Sequence, residues 1–231
     1  MLKNFCFLFA FAVSATYTGI VKAGMIMSPP GLVAGEKFRI AFVTSTTRAA
    51  SGLIPDFDAF VTAAAAAGSM TSLTYNSAPV IWQALASTIS VNANDSGRLP
   101  LSSSAGIFLV NGVNVTSGAT DLWDGSINAP INLDESGNAR NSQVWTGSFA
   151  DGANHGIYAL GNTFTFGATG NSQLATAGWI NFSTAPSQNV LSFYGISQEL
   201  TVVPEPSSIL LCGTMAIIGC LKRTRRCKQS V

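Results

Sequence analysis

Asp121, Asp124, Asn128, Asp134, Glu135, Asp151 and Asn154 place carboxylate and amide oxygens along one loop-rich stretch of this chain. Carboxylates and amides suit a hard cation such as calcium, which takes about six to eight oxygen ligands, although their spacing is not that of an EF-hand loop. Asp134 and Glu135 are also the residue types of a glycosidase, which needs two acids ~5–9 Å apart. Sequence neighbours tend to point apart, which counts against them as that pair. His155 is the single histidine of the chain, so a His-rich metal centre is excluded. It lies in Asp151-Gly152-Ala153-Asn154-His155-Gly156, a loop by its glycine and asparagine content. Ser148, His155 and Asp151 supply the parts of a nucleophilic triad, yet no serine stands in a Gly-x-Ser-x-Gly elbow. No glycine-rich phosphate loop precedes a helix either, so nucleotides are not implied.

Four tryptophans, Trp82, Trp123, Trp145 and Trp179, recur along the same region. Each can bury ~150–250 Å², and core packing is the expected role. A flat indole also matches the apolar face of a pyranose, and Trp123, flanked by Asp121 and Asp124-Gly125, is singled out as a sugar platform. The candidate ligand-binding set is therefore Asp121, Trp123, Asp124, Asp134, Glu135 and Asp151. No catalytic residue and no cofactor is assigned; calcium is the one ion these donors suit.

The elements that must position this set are mostly short strands. Phe38, Ile40 and Phe42 alternate with Arg39 and Ala41, predicting a strand over 37–45 with one buried face. Pro55-Asp56 opens a helix over 57–67, with Asp56 as N-cap and Phe57, Phe60, Val61 and Ala64 on one face. Strands are predicted at 80–85, at 106–110 turning through Asn111-Gly112 into 113–115, at 143–147, briefly at 178–180, and at 191–202. No fixed-period repeat is present, which excludes a solenoid or propeller.

Both ends differ from this middle. Lys3, the apolar run from Phe5 to Val13 and the small residues of Val21-Lys22-Ala23 read as a secretory signal peptide over 1–23. At the other end, Val203-Pro204-Glu205-Pro206 precedes an apolar run over 208–221 and a cationic cluster holding Arg223, Arg225 and Arg226. That run is read as a transmembrane helix with its basic end in the cytoplasm and 24–203 outside. Seven of the twelve basic residues lie in these ends, leaving Lys37, Arg39, Arg48, Arg98 and Arg140 against ten acids in 24–203. A mildly acidic domain without basic patches argues against nucleic acid as a partner. All four cysteines also lie in the ends, so the middle domain folds without disulfides.

The tail, with Pro-Glu-Pro, apolar run and basic cluster in that order, resembles the PEP-CTERM sorting signal of bacterial surface proteins. The resemblance implies signal peptidase and an exosortase-type protease as processing partners, the inner membrane as a transient tether through the C-terminal helix, and an association with exopolysaccharide. The order of motifs in the middle (Phe38 to Ser45, the Ala-rich helix, Trp82, Asn111-Gly112, Leu122 to Gly125, Pro130 to Gly137, Trp145 to Gly152, Gly178 to Ile180) looks like bacterial domains of the C-type-lectin-like, endostatin-like superfamily. It departs from them in lacking cysteines, and the calcium motifs of sugar-binding members are absent. The expected fold class is α+β: a C-type-lectin-like domain over 24–203, with mixed short antiparallel strands, one main N-terminal helix and a long loop region, followed by a sorting segment over 204–231 with its transmembrane helix. The expected function is that of a non-enzymatic surface or exopolysaccharide-matrix protein, binding carbohydrate or another surface protein through the loops around 111–156. A secreted polysaccharide hydrolase and a purely structural matrix protein are the alternatives.

Overall fold

The computed structural model describes residues 24–100, 102–161 and 165–203. The elements run β1 (Lys37–Val43), α1 (Ile54–Ala67), β2 (Thr74–Tyr75), β3 (Ala78–Pro79), β4 (Trp82–Ala84), β5 (Gly106–Leu109), β6 (Asn114–Thr116), α2 (Ala119–Leu122), β7 (Gln143–Trp145), β8 (Phe166–Asn171), β9 (Ser183–Pro186), β10 (Ser192–Ser197) and β11 (Leu200–Thr201). All strands but the β2–β3 pair join one nine-stranded sheet in the order β6-β5-β1-β10-β7-β8-β9. β10 runs antiparallel to β1, pairing Ala41 with Ile196, while its other edge receives β4 along one half and β7 along the other. The pairs β1–β5 and β10–β7 are parallel.

This corrects the expected fold class. The described chain is mostly a mixed β-sheet with two helices, α1 and the single-turn α2, and not the antiparallel, loop-dominated C-type-lectin-like arrangement. Residue periodicity reports which face a strand buries but not which strand it joins, so the parallel partners were not visible in it. The transmembrane helix is corrected with it. Among the described residues no helix is long and apolar enough to cross a membrane, and the stretch on which that span was expected, 208–221, lies outside them.

Both faces of the sheet are covered. On one, Phe38, Ile40, Phe42, Trp82, Trp145 and Phe193 pack against Ile54, Phe57, Val61, Ala64 and Ala65 of α1. Those helix positions recur every three to four residues, as an amphipathic helix requires, and Phe57 stacks on Phe193 at 5.0 Å. On the other face, Val43, Ile107, Leu109, Tyr194 and Ile196 meet Leu99, Leu122, Trp123, Ile131 and Trp179. The one-sided reading of β1 therefore fails at Arg39, which is buried. Its guanidinium is tolerated there because Nη1 donates to the Ser197 carbonyl at 2.9 Å and Nη2 lies 3.6 Å from Glu199.

The helix begins earlier than its sequence signal, at Ile54, with Leu53 in the capping position. Asp56 stands in the first turn and accepts the Leu53 N–H at 2.8 Å, satisfying one of the orphan donors at the helix start. Two residues on, Asp58 fastens α1 to the sheet. Its carboxylate receives both arms of Arg98, at 3.0 and 2.9 Å, and the Ala84 N–H at 2.8 Å. Because the Arg98 side chain is only 8% exposed, removing its partner strands a charge. Asp58→Ala is expected to lower stability by roughly 2–3 kcal/mol in urea unfolding, with Asp58→Asn recovering part of the loss; a change within error for Asp58→Ala would show the clamp to be idle.

Candidate functional site

Where β5 leads into β6 and α2, two shallow grooves adjoin at the sheet edge. One, of about 430 Å³, is lined by Glu36, Lys37, Gly106, Phe108 and Asn114. The other, of about 380 Å³, is lined by Ser103, Gly118, Thr120, Asp121 and Asp124. Ser104 and Ser117 line both.

Local chemistry builds this rim. β6 ends at Thr116, and the chain turns at once into α2, whose first turn carries Asp121. Asp121 Oδ2 accepts the Thr116 hydroxyl at 2.7 Å, the Ser117 N–H at 2.7 Å and the Ser117 hydroxyl at 3.0 Å. These donors, Thr116 foremost, hold its carboxyl below the usual carboxylate range. Asp121 is thus an anion at neutral pH, fit to accept hydroxyl hydrogens and unfit to deliver a proton. Asp124 is exposed, and its Oδ1 accepts the Ser126 N–H at 2.9 Å and hydroxyl at 3.2 Å. Glu199 gathers two groove-lining groups, Lys37 Nζ at 3.0 Å and the Ser103 hydroxyl at 2.9 Å, together with Arg39 at 3.6 Å. The Lys37 hydrogen bond leads in holding Glu199 below its ordinary value, with Ser103 and Arg39 assisting against the opposing effect of burial. This knot ties β1 to the turn between β10 and β11 and holds the groove-lining Lys37 and Ser103.

Of the six predicted ligand-binding residues, Asp121 and Asp124 line one of these grooves. Trp123 is not a platform. It is 5% exposed, stacks on Trp179 at 6.1 Å and donates its indole N–H to the Leu99 carbonyl at 3.1 Å. Trp82, Trp145 and Trp179 are buried as well. Asp134 and Glu135 are both buried and engage different partners. Asp134 accepts the N–H groups of Ser136 and Asn138 at 2.9 Å each and Arg140 Nε at 3.0 Å. Glu135 accepts the Ser45 N–H at 2.9 Å and the Ser45 hydroxyl. These are pins for the 134–140 loop, and the glycosidase pair is not assembled. Asp151 closes a turn of its own by accepting the Ala153 N–H at 3.0 Å.

Nor does a triad form. His155 stacks on Phe149 at 4.0 Å, while the Ser148 hydroxyl is 2.7 Å from that of Ser87 and 2.9 Å from the Thr146 carbonyl. Among the described residues no three His, Cys, Asp or Glu side chains converge as a metal site, so the calcium expectation finds no carboxylate cluster to rest on. Of the sorting motif, Val203 is exposed at the end of the described domain. Pro204, Glu205, Pro206, Arg223, Arg225 and Arg226 lie outside the described residues.

Among the groove residues that sequence reading missed are Ser103, Ser104 and Ser117. Their signal was the clustering of small hydroxyl residues at both ends of a strand pair, in Ser102-Ser103-Ser104 and Thr116-Ser117. No family model matches this chain, and no curated protein matches it.

Proposed function

We propose that this is an exported, non-enzymatic protein of the bacterial surface or its exopolysaccharide matrix, and that the paired grooves contact the hydroxyl groups of a glycan. The leader over 1–23 would direct export through signal peptidase. The segment from Val203-Pro204-Glu205-Pro206 to the Arg223, Arg225 and Arg226 cluster would be read by an exosortase-type protease. One observation carries the binding assignment. Asp121 and Asp124 share a concave rim with Ser104, Ser117 and Asn114, a set of acceptors and small hydroxyls that can exchange water for sugar hydroxyls. The acid-rich rim favours neutral or amino sugars over uronic acids, since a like charge on the ligand would be repelled. A hydrolase gains no support from this geometry, because Asp134 and Glu135 are committed to loop contacts.

A glycan array probed with the secreted protein, with and without EDTA, is the test. Neutral or amino-sugar glycans are expected to give signal in both conditions. Ser104 is exposed and lines both grooves, so Ser104→Trp is expected to weaken binding at least ~10-fold, about 1.4 kcal/mol, with an unchanged melting temperature. No signal in either condition would remove the carbohydrate reading and leave the structural-matrix alternative.

A further inference from the structure

Gly24 is the first described residue, and it packs against the C-terminal end of α1. A Cβ at this position would lie 1.9 Å from the Thr71 carbonyl oxygen and 2.4 Å from that of Gly68. Both are main-chain atoms held in place. Gly68 caps α1 with its N–H on the Ala64 carbonyl at 3.1 Å, and buried Thr71 donates its hydroxyl to the Ala65 carbonyl at 2.7 Å. Only glycine fits between them. The following amide, Met25 N–H, donates to the Ser69 carbonyl at 3.4 Å, and Ile26 then enters the core. Position 24 therefore sits just past the C-terminal end of a 14-residue helix, beside the carbonyls of its cap residue Gly68 and of Thr71, and the last turn of that helix has no basic side chain. That end carries the negative pole of the helix dipole and favours a cation. Immediately before it in the sequence stands Val21-Lys22-Ala23, the small-residue pattern at the end of the leader.

We propose that processing cuts the Ala23–Gly24 bond and that the α-ammonium it releases docks at the end of α1, among the Gly68 and Thr71 carbonyls. This rests on the export reading above. The step is a hydrolysis: water adds across the amide, the released leader keeps the Ala23 carboxylate, and Gly24 becomes a primary amine. With an α-amino pKa near about 8, that amine is protonated at neutral pH and offers three donors. A cut one bond earlier leaves a further residue between the new amine and Gly24, and one bond later discards the glycine that fits beside the carbonyls. The glycine requirement and the cleavage pattern are thus two independent marks on the same bond.

The full chain is to be expressed in a Gram-negative host and its exported form analysed by N-terminal sequencing and intact mass, with Gly24 expected as the first residue. The exported protein is then treated with an amine-acylating reagent at pH 7. The Gly24 amine is expected to react at least ~10-fold more slowly in the folded protein than in urea, and Gly24→Ala to abolish that protection. An exported product starting elsewhere, or a Gly24 amine equally reactive folded and unfolded, overturns this proposal while leaving export intact. A chain retained in the cell with its leader attached overturns export itself. The labelling of the unmutated protein keeps the docking testable even if Gly24→Ala does not fold.

Discussion

Replacing Trp179 with alanine is expected to cost about 3–5 kcal/mol, a large share of the ~5–15 kcal/mol that holds a domain of this size. Trp179 is fully buried between Trp123 at 6.1 Å and Tyr194 at 5.7 Å. Truncation empties the centre of the layer that covers the second face of the sheet. Trp179→Phe should be far milder, on the order of 1–2 kcal/mol, because the indole Nε1 is buried without a partner and its loss removes an unsatisfied donor. Trp123→Phe provides the contrast, since the Trp123 N–H is bonded to the Leu99 carbonyl. It should cost more than Trp179→Phe by about 1 kcal/mol. Urea midpoints of the three variants decide the matter; equal losses in the two phenylalanine variants would mean that the two indole N–H groups are not distinguished as described.

The second large effect is expected at Asp134. Burial works against its charge, yet the donors of Asn138, Ser136 and Arg140 together hold the carboxyl below its ordinary range. Asp134→Ala leaves those donors without an acceptor and should destabilise the domain by about 2–4 kcal/mol at neutral pH. The sign of the pH dependence follows from linkage. A carboxyl whose folded pKa is depressed contributes stability above its unfolded value of about 3.9, and that contribution disappears as pH falls through the lower folded value. The melting temperatures of the unmutated protein and Asp134→Ala should therefore differ widely at pH 7 and converge toward pH 2. A gap of the same size at both pH values would show that the charge of Asp134 contributes nothing. Asp121 and Glu199 are depressed in the same direction, but they are present in both proteins and cancel in the comparison.

Local pattern made some of this fold legible. The alternation of Phe38, Ile40 and Phe42 marked β1, Asn111-Gly112 marked the turn between β5 and β6, where the Leu109 N–H reaches the Val113 carbonyl at 2.8 Å, and the alanine-rich face marked α1. What escaped it depends on contacts distant in sequence. No strand was predicted at β8 or β9, which consist mostly of small residues (Gly, Ala, Thr, Ser). Gly170 of β8 shows why: a Cβ there would sit 2.0 Å from the Trp179 carbonyl oxygen, so the strand carries small residues where another backbone presses on it. The stretch 178–180, predicted as a strand, is part of a 3₁₀ turn over Ala177–Trp179 instead, which is what brings that carbonyl down. The site suffered in the same way. Acids flanking Trp123 suggested exposure, but Leu99 and Trp179, from other parts of the chain, bury it. Asp134 and Glu135 looked reactive because sequence cannot show that Arg140 and Ser45 already occupy them.

The place of β10 in the sheet bears on the order of events during synthesis. It is the shared neighbour of β1, β4 and β7, yet it spans 192–197, near the end of the domain. A polypeptide leaving the ribosome N-terminus first presents those three strands long before their common partner exists. Pairings such as Ala41 with Ile196 close only after every residue between them has been made, and such distant closure is slow. The layout by itself postpones completion of the sheet, and any step that needs an incompletely folded polypeptide has that interval in which to act.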